Sequence, residues 1–331
     1  MRVVALEEAF NIPELVSRIP AQAIVARGWP SLGGNPGSMG HSDELRDLGA
    51  GRLSSMDASG ITVQVLSWSG PGAELLEGQN GVLFARDAND RLARAVSEHP
   101  ARFAGFAHLP LSAPDAAPDE LERSVRDLGF KGALLNGTTR DRFLDHASFD
   151  ALLARAEKLD VPLYLHPGIP VEPVRKAYFE GLPQPTSFLL GSPGWGWHAE
   201  TAVHVLRLVL SGTLDRHPRL RLIVGHMGEM LPMMMARFDA IFQREQTRLA
   251  RSVSQTLLDQ VVITTSGFFA TAPFLAALLT FGVDRILFSV DYPYSRNEVG
   301  RAFLDRLPVA SDDLEKIAHG NADRVLKLRA G

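Results

Sequence analysis

An apolar run near the end of the chain stops abruptly at a carboxylate. Within the segment Arg285–Tyr294, the apolar residues end at Asp291, and Pro293 follows two residues later. Such a run suits a buried parallel strand, which the proline cannot continue. Asp291 is therefore predicted at the carboxyl end of a strand, where parallel α/β folds collect the side chains that bind ligands.

Other apolar runs end in polar side chains of similar chemistry: Val3–Leu6 before Glu7 and Glu8, Pro162–Leu165 before His166, Leu222–Gly225 before His226, and Ala133–Leu135 before Asn136. Carboxylates gathered in a partly desolvated pocket repel one another, and a divalent cation relieves that repulsion. Carboxylates with one histidine and no sulfur suit Mn²⁺, Zn²⁺ or Mg²⁺, and three protein ligands leave positions open for substrate. A purely structural histidine is the alternative interpretation of His166.

The spacing leaves the roles of some neighbouring residues open. Glu7 and Glu8 are adjacent, so in a strand they point to opposite faces and only one reaches the interior. In the segment His226-Met-Gly-Glu229, Glu229 either complements the dipole of a following helix or orients His226, which then contacts substrate or moves a proton. His108 also ends a predicted strand, and a core histidine is the favoured interpretation there.

Four side chains have both a structural and a substrate-binding interpretation. Asn136 is a turn former or a hydrogen-bond partner of the substrate. Trp195 and Trp197 belong to the core or form a stacking wall for an aromatic ligand. Arg237 belongs to a solvated helix or, in an oligomer, reaches a neighbouring site.

The elements that must position these residues alternate regularly. Eight strands separated by helices are predicted, which is the pattern of a (β/α)8 TIM barrel and places the chain in the α/β class. The predicted helices include 45–59, 229–248 and a C-terminal helix at 311–328 with Ser311 and Asp312 as caps. A doubly wound sheet is the competing fold, but no Gly-rich phosphate loop follows any strand.

Two long Gly- and Pro-rich segments interrupt this pattern, 11–41 after strand 1 and 168–197 after strand 5. Loops longer than about 12 to 15 residues in a compact domain are usually functional or disordered. The two segments are therefore candidate lids over the carboxyl face, with tolerated surface loops as the alternative. No linker or internal repeat divides the chain, so a single domain over 1–331 is predicted.

Composition excludes several classes of function. The net charge of -4 and the lack of any basic block argue against nucleic-acid or anionic-membrane partners. The absence of cysteine removes disulfides and thiolate metal sites. No apolar stretch approaches the roughly 20 residues that a membrane helix requires. A soluble, cytoplasmic protein is predicted.

Five segments together resemble the amidohydrolase-superfamily decarboxylases of hydroxybenzoates: Leu6–Phe10, Tyr164–Pro167, Gly225–Glu229, Thr264–Gly267 and Leu287–Pro293. That group includes γ-resorcylate, 2,3-dihydroxybenzoate and 5-carboxyvanillate decarboxylases, with aminocarboxymuconate semialdehyde decarboxylase more distant. The resemblance spans nearly the whole chain and implies a distorted (β/α)8 barrel. It also implies one divalent metal ion, Mn²⁺ or Zn²⁺ with Mg²⁺ possible, held by Glu7, His166 and Asp291, and no organic cofactor.

The resemblance further implies non-oxidative decarboxylation of an ortho-hydroxylated aromatic acid, in which the ring carbon is protonated before CO2 leaves. Asp291 is then the acid, assisted by His226 and Glu229, and Asn136 belongs to the substrate site. The relatives imply a homodimer or homotetramer acting on a small aromatic acid.

The main alternative is metal-dependent hydrolysis of a lactone or amide on the same barrel. Some family members carry a second histidine two residues after the ligand glutamate, where this chain has Ala9. The absence of that histidine pair counts against the hydrolytic alternative.

Overall fold

The chain is built on parallel strands that follow the predicted apolar runs. The computed structural model describes residues 1–30, 41–183 and 185–328. Within these residues the strands are β1 (Val4–Phe10), β2 (Val63–Trp68), β3 (Phe103–Gly105), β4 (Ala133–Asn136), β5 (Leu163–His166), β6 (Leu222–Val224), β7 (Val261–Thr264) and β8 (Ile286–Leu287).

The strands pair in sequence order around a ring. Two parallel sheets run β1-β2-β3 and β4-β5-β6-β7-β8. Single parallel bridges join them at both seams, Ala107 to Ala133 between β3 and β4, and Leu6 to Ser289 between β1 and the end of β8. At the second seam the Leu6 N–H donates to the Phe288 carbonyl at 3.3 Å. The predicted α/β barrel is confirmed in a distorted form, with β4 across the ring from β8.

Alternate strand residues fill the inside of the ring. They form one buried apolar cluster that includes Val4, Leu6, Val63, Val65, Phe106, Leu134, Tyr164, Ile223, Val262 and Leu287. Val325 and Leu326 of the C-terminal segment belong to the same cluster, and Arg2, just before β1, pairs with Asp323 at 3.1 Å. The C-terminal segment therefore covers the amino end of the barrel and leaves the carboxyl end open for a site.

Helices cover the outside of the strands. In chain order they are α1 (Pro13–Val16), α2 (Ala21–Arg27), α3 (Ser42–Arg46), α4 (Ala50–Ala58), α5 (Gly78–Glu98), α6 (Ala117–Arg126), α7 (Asp150–Leu159), α8 (Glu172–Tyr178), α9 (Thr186–Gly191), α10 (Gly196–Leu210), α11 (Thr213–Arg216), α12 (His226–Glu229), α13 (Leu231–Ile241), α14 (Arg244–Thr247), α15 (Val253–Gln260), α16 (Thr271–Phe281), α17 (Asn297–Leu304), α18 (Ser311–Glu315) and α19 (Asn321–Leu326). A π-helical turn, Lys316–Gly320, joins α18 to α19.

Two predicted helices are divided. The segment 45–59 breaks at Asp47, whose carboxylate accepts hydrogen bonds from the N–H groups of Gly49 and Arg52 at 2.8 and 2.9 Å. This carboxylate satisfies N–H groups that have no partner within a helix, so a new helix begins after it. The segment 229–248 likewise forms α13 and α14 rather than one helix.

The C-terminal segment is helical as predicted, but its predicted caps are wrong. Ala310 precedes α18, and Ser311 and Asp312 lie within the helix, which has no side-chain cap at its start. Helix α15 is absent from the sequence prediction. It runs directly into β7 with no glycine or proline at the junction, so the usual boundary signal is missing.

The two long segments after β1 and β5 touch each other. The Arg27 guanidinium donates to the Pro170 carbonyl at 3.0 Å, and the rings of Trp29 and Trp197 pack edge to face with centroids 6.2 Å apart. Positions 31–40 and 184 of these segments lie outside the described residues. No helix in the described ranges combines the length and the apolar character needed to cross a bilayer.

Candidate active site

β1 delivers two adjacent carboxylates to different surroundings. The pairing register with β2 shifts between Ala5 and Glu8, and Glu7 within this bulge has a φ of 62°. A bulge re-aims the side chains of its strand. Glu7 turns toward His166 and His226, while Glu8 turns toward the end of β8, so Glu7 is the carboxylate that faces the histidines.

His166, the last residue of β5, faces Glu7. Its Nδ1 donates to the Pro167 carbonyl at 2.8 Å, and burial lowers the pKa of His166 to about 4, with further lowering by His226. The ring is therefore neutral and its Nε2 carries a lone pair. This Nε2 lies 3.3 Å from Glu7 Oε1, a buried oxygen with no hydrogen-bond partner among the described residues.

Glu7 itself is held in place from the other side. Its Oε2 accepts a short hydrogen bond from the Tyr164 hydroxyl, which also lies 2.9 Å from Thr264 Oγ1. Burial raises the pKa of Glu7 well above its usual range; His226 lowers it and Asp291 raises it. A carboxyl in such surroundings keeps a proton or binds a cation.

The segment after β6 turns sharply and brings His226 against Glu229. Both residues have left-handed backbone, with φ of 50° each, and His226 Nδ1 donates to Glu229 Oε1 at 2.8 Å. Burial would lower the pKa of His226, but Glu7 and Glu229 raise it well above its ordinary value. Burial would raise the pKa of Glu229, but His226 and His198 lower it to about 2. The geometry favours the interpretation in which Glu229 orients His226.

Asp291 follows β8 in a loop that Glu8 holds. The Glu8 carboxylate accepts hydrogen bonds from the N–H groups of Val290 and Tyr292, at 2.9 and 3.1 Å, on either side of Asp291. Asp291 has a φ of 73°, and its Oδ2 lies 3.8 Å from His226 Nε2. Strained backbone of this kind clusters at functional sites, and here Glu7, His226 and Asp291 all show it.

These ligand atoms have the spacing that one cation requires. Ligands of a single ion, each about 2.0–2.2 Å from it, lie about 3 Å or more apart. Glu7 Oε1 lies 3.3 Å from His166 Nε2 and 3.5 Å from His226 Nε2. The ligand atoms of Glu7, His226 and Asp291 all lie within 4.8 Å of one another. The structure thus groups Glu7 and Asp291 with His226, and it places His166 beside Glu7. The predicted ligand set of Glu7, His166 and Asp291 stays a prediction.

His198 completes the cluster and was missed by the sequence analysis. Its Nδ1 donates to Glu229 Oε2 at 2.6 Å and its Nε2 to the Pro193 carbonyl at 3.0 Å. His198, Glu229 and His226 also have the proximity of a metal site, but 2.6 and 2.8 Å are hydrogen-bond distances, too short for two ligands of one ion. His198 follows no strand, and its only signal was its position beside Trp197 in the second long segment.

A cavity of about 270 Å³ opens beside this cluster. Its wall contains His166, His226 and Asp291, together with the predicted substrate contacts Asn136 and Trp197. The Asn136 amide donates to a backbone carbonyl at 3.4 Å, so its turn-forming and substrate-binding interpretations both stay open.

Arg27 also lines this cavity and was not predicted. Its guanidinium donates to the Pro170 carbonyl at 3.0 Å and to Thr138 Oγ1 at 3.2 Å. Burial lowers the pKa of Arg27, and the carboxylates of Glu200 and Glu74 offset part of this lowering. Among the described residues Arg27 forms no direct ion pair with a carboxylate. A cationic side chain therefore borders the cavity, and none of its N–H groups donates to a carboxylate of these residues.

Two other predicted substrate contacts lie away from this wall. Trp195 immediately precedes α10 and is 51% exposed, whereas Trp197 lies in the first turn of that helix and points into the cavity. Arg237 is exposed on α13 and does not line the cavity. A role for Arg237 in substrate binding therefore requires a second copy of the chain and stays a prediction.

The chain forms a (β/α)8 barrel and gathers carboxylates and histidines at the carboxyl ends of its strands. This combination is typical of barrel enzymes with a metal site. The chain belongs to the amidohydrolase family, whose model matches residues 41–328.

Curated relatives place the chain more narrowly. Decarboxylase orsB of Emericella nidulans is 40% identical over 304 residues, which cover 88% of this chain and 89% of the relative. The γ-resorcylate decarboxylase of Rhizobium sp. strain MTP-10005 is 39% identical over 336 residues, covering 98% of each chain. The expected resemblance to amidohydrolase-superfamily decarboxylases is confirmed.

A solved structure shows the same likeness. The dihydroxybenzoic acid decarboxylase from Polaromonas sp. JS666, with bound manganese and the inhibitor 2-nitroresorcinol, superposes with a TM-score of 0.85 at 33% identity. The alignment covers 99% of this chain and 98% of that one.

Proposed function

We propose that this protein is a metal-dependent decarboxylase of aromatic acids that carry a hydroxyl group ortho to the carboxylate. The observation that carries the proposal is the pair Glu7 Oε1 and His166 Nε2, which lie 3.3 Å apart, with Glu7 Oε1 buried and without a hydrogen-bond partner among the described residues. A cation bound there would satisfy both. The likeness to γ-resorcylate decarboxylase and to the manganese-bound dihydroxybenzoic acid decarboxylase supports the reaction.

In this proposal Glu7, His166 and Asp291 hold one divalent cation, and His226 lies beside them. When bound, such an ion acts as a Lewis acid toward the substrate carboxylate and the neighbouring phenolate oxygen. The carboxylate and imidazole donors suit Mn²⁺, Zn²⁺ or Mg²⁺, and the manganese of the Polaromonas structure favours Mn²⁺. We expect no organic cofactor.

The chain's own acid–base groups supply the proton that replaces CO2. Loss of CO2 from an unprotonated ring would leave an aryl carbanion, so the ring carbon must gain a proton first. We assign the transfer to Asp291: a proton passes from His226 Nε2, 3.8 Å from Asp291 Oδ2, to the carboxylate and from there to the ring carbon, and the ring regains its aromaticity as CO2 leaves. Glu229 accepts from His226 Nδ1 and fixes the orientation of the ring, and the charge of that carboxylate favours the protonated imidazole.

The cavity suits a small anionic ring. Thr138 follows β4 and Pro170 follows β5, so their hydrogen bonds hold Arg27 over that side of the barrel, across from Asp291 after β8. A substrate whose metal-binding oxygens face Asp291 would direct its opposite edge toward Arg27. Trp197 would flank the ring, and Asn136 would supply a polar contact.

This orientation can be tested with paired substrates. Arg27→Gln is expected to raise KM for 2,4-dihydroxybenzoate, whose extra hydroxyl lies opposite the carboxylate, by about tenfold or more because hydrogen bonds to a charged group contribute about 1.5–3 kcal/mol. The KM for salicylate, which lacks that hydroxyl, should change much less. Equal changes for both substrates would contradict the orientation.

The reaction itself is tested by CO2 release from a panel of hydroxybenzoates with Mn²⁺-loaded protein. We expect turnover of at least one acid with an adjacent hydroxyl and none of the matched 3- or 4-hydroxybenzoate. No turnover of any ortho-hydroxylated acid would contradict the proposal. Incorporation of oxygen-18 from water into product during hydrolysis of a lactone or amide would favour the hydrolytic alternative.

We also propose a single domain over 1–331, in which 11–41 and 168–197 act as lids; their direct contacts beside the cavity support this.

A homodimer or homotetramer is proposed because Arg237 and the 74% exposed Met233 share the open side of α13. Light scattering after size-exclusion chromatography would measure the assembly. Cytoplasmic location stays a prediction, testable by fractionating cells that express the protein.

A further inference from the structure

Glu229 is shared between two buried histidines that come from different parts of the fold. His226 follows β6, whereas His198 lies in the first turn of α10, at the end of the second long segment. We propose that His198 is a positioning residue for the decarboxylation, which fixes Glu229 so that His226 keeps its Nε2 directed at Glu7 and Asp291. The inference rests on the proposed function, because it concerns the orientation of the proton-transfer group.

The hydrogen bonds of His198 leave it no donor for a substrate. Both of its partners, the Glu229 carboxylate and the Pro193 carbonyl, are acceptors, and they lie 2.6 Å from Nδ1 and 3.0 Å from Nε2, so each ring nitrogen already has a partner in the protein. Although His198 borders the cavity, its polar atoms are committed to the protein. It therefore acts on the reaction through Glu229 and not by binding the ring.

The two oxygens of Glu229 divide between the histidines. Oε2 accepts from His198 at 2.6 Å and Oε1 accepts from His226 at 2.8 Å, and Glu229 is 1% exposed. Without His198, Oε2 would be a buried acceptor with no donor, and the carboxylate would turn to find another partner. Because His226 Nδ1 donates to the same carboxylate, rotation of Glu229 would also release the His226 ring.

Packing fixes both rings as well. The His198 and His226 rings have centroids 4.9 Å apart, and both pack edge to face on Phe268, at 5.3 and 5.8 Å. The Pro193 carbonyl anchors the far nitrogen of His198 to the second long segment. That segment is therefore linked to the proton-transfer group through one continuous set of contacts.

The test uses two substitutions that each keep a different hydrogen bond. The Asn amide lies close to the position of Nδ1, so His198→Asn keeps a donor for Glu229; the Gln amide reaches toward Nε2, so His198→Gln keeps only a donor for Pro193. With Mn²⁺-loaded protein, His198→Gln is expected to lower kcat about 10- to 100-fold with KM unchanged. His198→Asn is expected to be about tenfold less impaired.

His204 provides a matched control on the same helix. It is also buried, and its Nε2 accepts a hydrogen bond from the Leu144 N–H at 2.9 Å, away from Glu229. His204→Gln is expected to lower thermal stability without lowering kcat of the folded protein. If His204→Gln lowered kcat as much as His198→Gln, the effect would come from general disturbance of α10 and the inference would be wrong.

A double-mutant cycle with Glu229→Gln separates positioning from independent action. If His198 acts through Glu229, His198→Gln should cost little further kcat once Glu229 has been replaced. Three outcomes would overturn the inference. The first is a double variant whose loss of kcat is the product of the losses in the two single variants. The others are a His198→Gln variant with raised KM and unchanged kcat, or one with wild-type kcat.

A measurement independent of turnover uses nitrogen-15 NMR of the imidazole groups. His198→Gln should broaden or shift the His226 Nδ1–H signal, and an unchanged signal would also contradict the inference. Failure of the proposed function is distinguishable, because the wild-type protein would then release no CO2 while this spectroscopic result would still stand.

Discussion

Two buried histidines follow strands of the same barrel, His108 after β3 and His226 after β6. His108 is 4% exposed and His226 is 7% exposed. Each packs against aromatic rings, His108 against Trp68 and Phe84 at centroid distances of 5.6 and 5.9 Å, and His226 against Phe268 at 5.8 Å. Position after a strand and burial therefore do not distinguish them.

Their partners do. His108 Nε2 accepts a hydrogen bond from the Ala73 N–H at 2.9 Å, and its backbone pairs with both ends of the Asn89 amide. Burial lowers the pKa of His108 to about 3, so the ring is neutral. His226 instead lies among carboxylates that raise its pKa. A buried histidine with complementary donors stabilises the fold, whereas one beside surplus acceptors indicates a site for a cation or a proton.

The largest expected effect is at Asp291. Asp291→Asn removes the group assigned to transfer the proton, and kcat should fall by about 10³-fold or more. CO2 release measures the loss, and thermal unfolding with Mn²⁺ checks that the fold persists. A mild effect would contradict the role of Asp291. It would also weaken the conclusion that the region around His226 is catalytic and the region around His108 is structural.

Removal of the metal should give a comparably large loss at the same cluster. Chelation followed by gel filtration is expected to abolish turnover, and added Mn²⁺ should restore it. Glu7→Gln should lower the metal content measured by mass spectrometry, while His108→Leu should leave that content unchanged. Equal metal content in both variants would disprove the assignment of Glu7.

Glu229→Gln should have an intermediate effect. The substitution keeps the shape of the side chain but exchanges one acceptor oxygen for a donor, which faces an imidazole N–H. Turnover is expected to slow by about 10- to 100-fold without being abolished. A loss as large as that of Asp291→Asn would show that Glu229 acts on the substrate more directly than through His226.

At His108 the expected effect is on stability. His108→Leu leaves the Ala73 N–H without an acceptor and should lower the free energy of unfolding by about 1–3 kcal/mol. Urea denaturation measures this loss, and kcat of the folded fraction should stay at the wild-type value. A fall in kcat without a fall in the free energy of unfolding would show that His108 acts in the reaction and not in stabilising the fold.

His108 also adds a pH dependence to stability, which is confined to the acid range. Its pKa falls from 6.5 to about 3 on folding. Between these two pH values His108 is protonated in the unfolded chain and neutral in the folded chain. This contribution is complete above pH 6.5 and is lost as pH falls toward 3, at no more than about 1.4 kcal/mol per pH unit. His108→Leu should flatten that part of the stability profile, and an equal slope in the variant would contradict the assignment.

The parts that the sequence predicts best are those in which an apolar run ends at a polar side chain. That signal located Asp291, His166, His226 and the pair Glu7 and Glu8, although β1 continues past this pair to Phe10. It could not decide between Glu7 and Glu8, because the bulge in β1 alters the simple alternation of side chains.

Residues outside the strands were harder to predict. His198 and Arg27 come from the long segments, whose course depends on tertiary contacts such as Arg27 with Pro170. Trp195 and Trp197 look equivalent in the sequence, but the start of α10 at Gly196 directs them differently. Local patterns do not contain that information.

The hydrogen bonds from Val290 and Tyr292 to Glu8 have a consequence for how the protein is made. They join residues 282 and 284 positions apart. During synthesis Glu7 and Glu8 leave the ribosome long before Asp291 and the loop that Glu8 holds. A chain that ends before β8 would leave the Glu8 carboxylate without the N–H donors of Val290 and Tyr292 and would lack Asp291, so we expect it to be catalytically silent. Assembly of the active site thus requires β1 and the segment after β8 together, although they lie far apart in the chain.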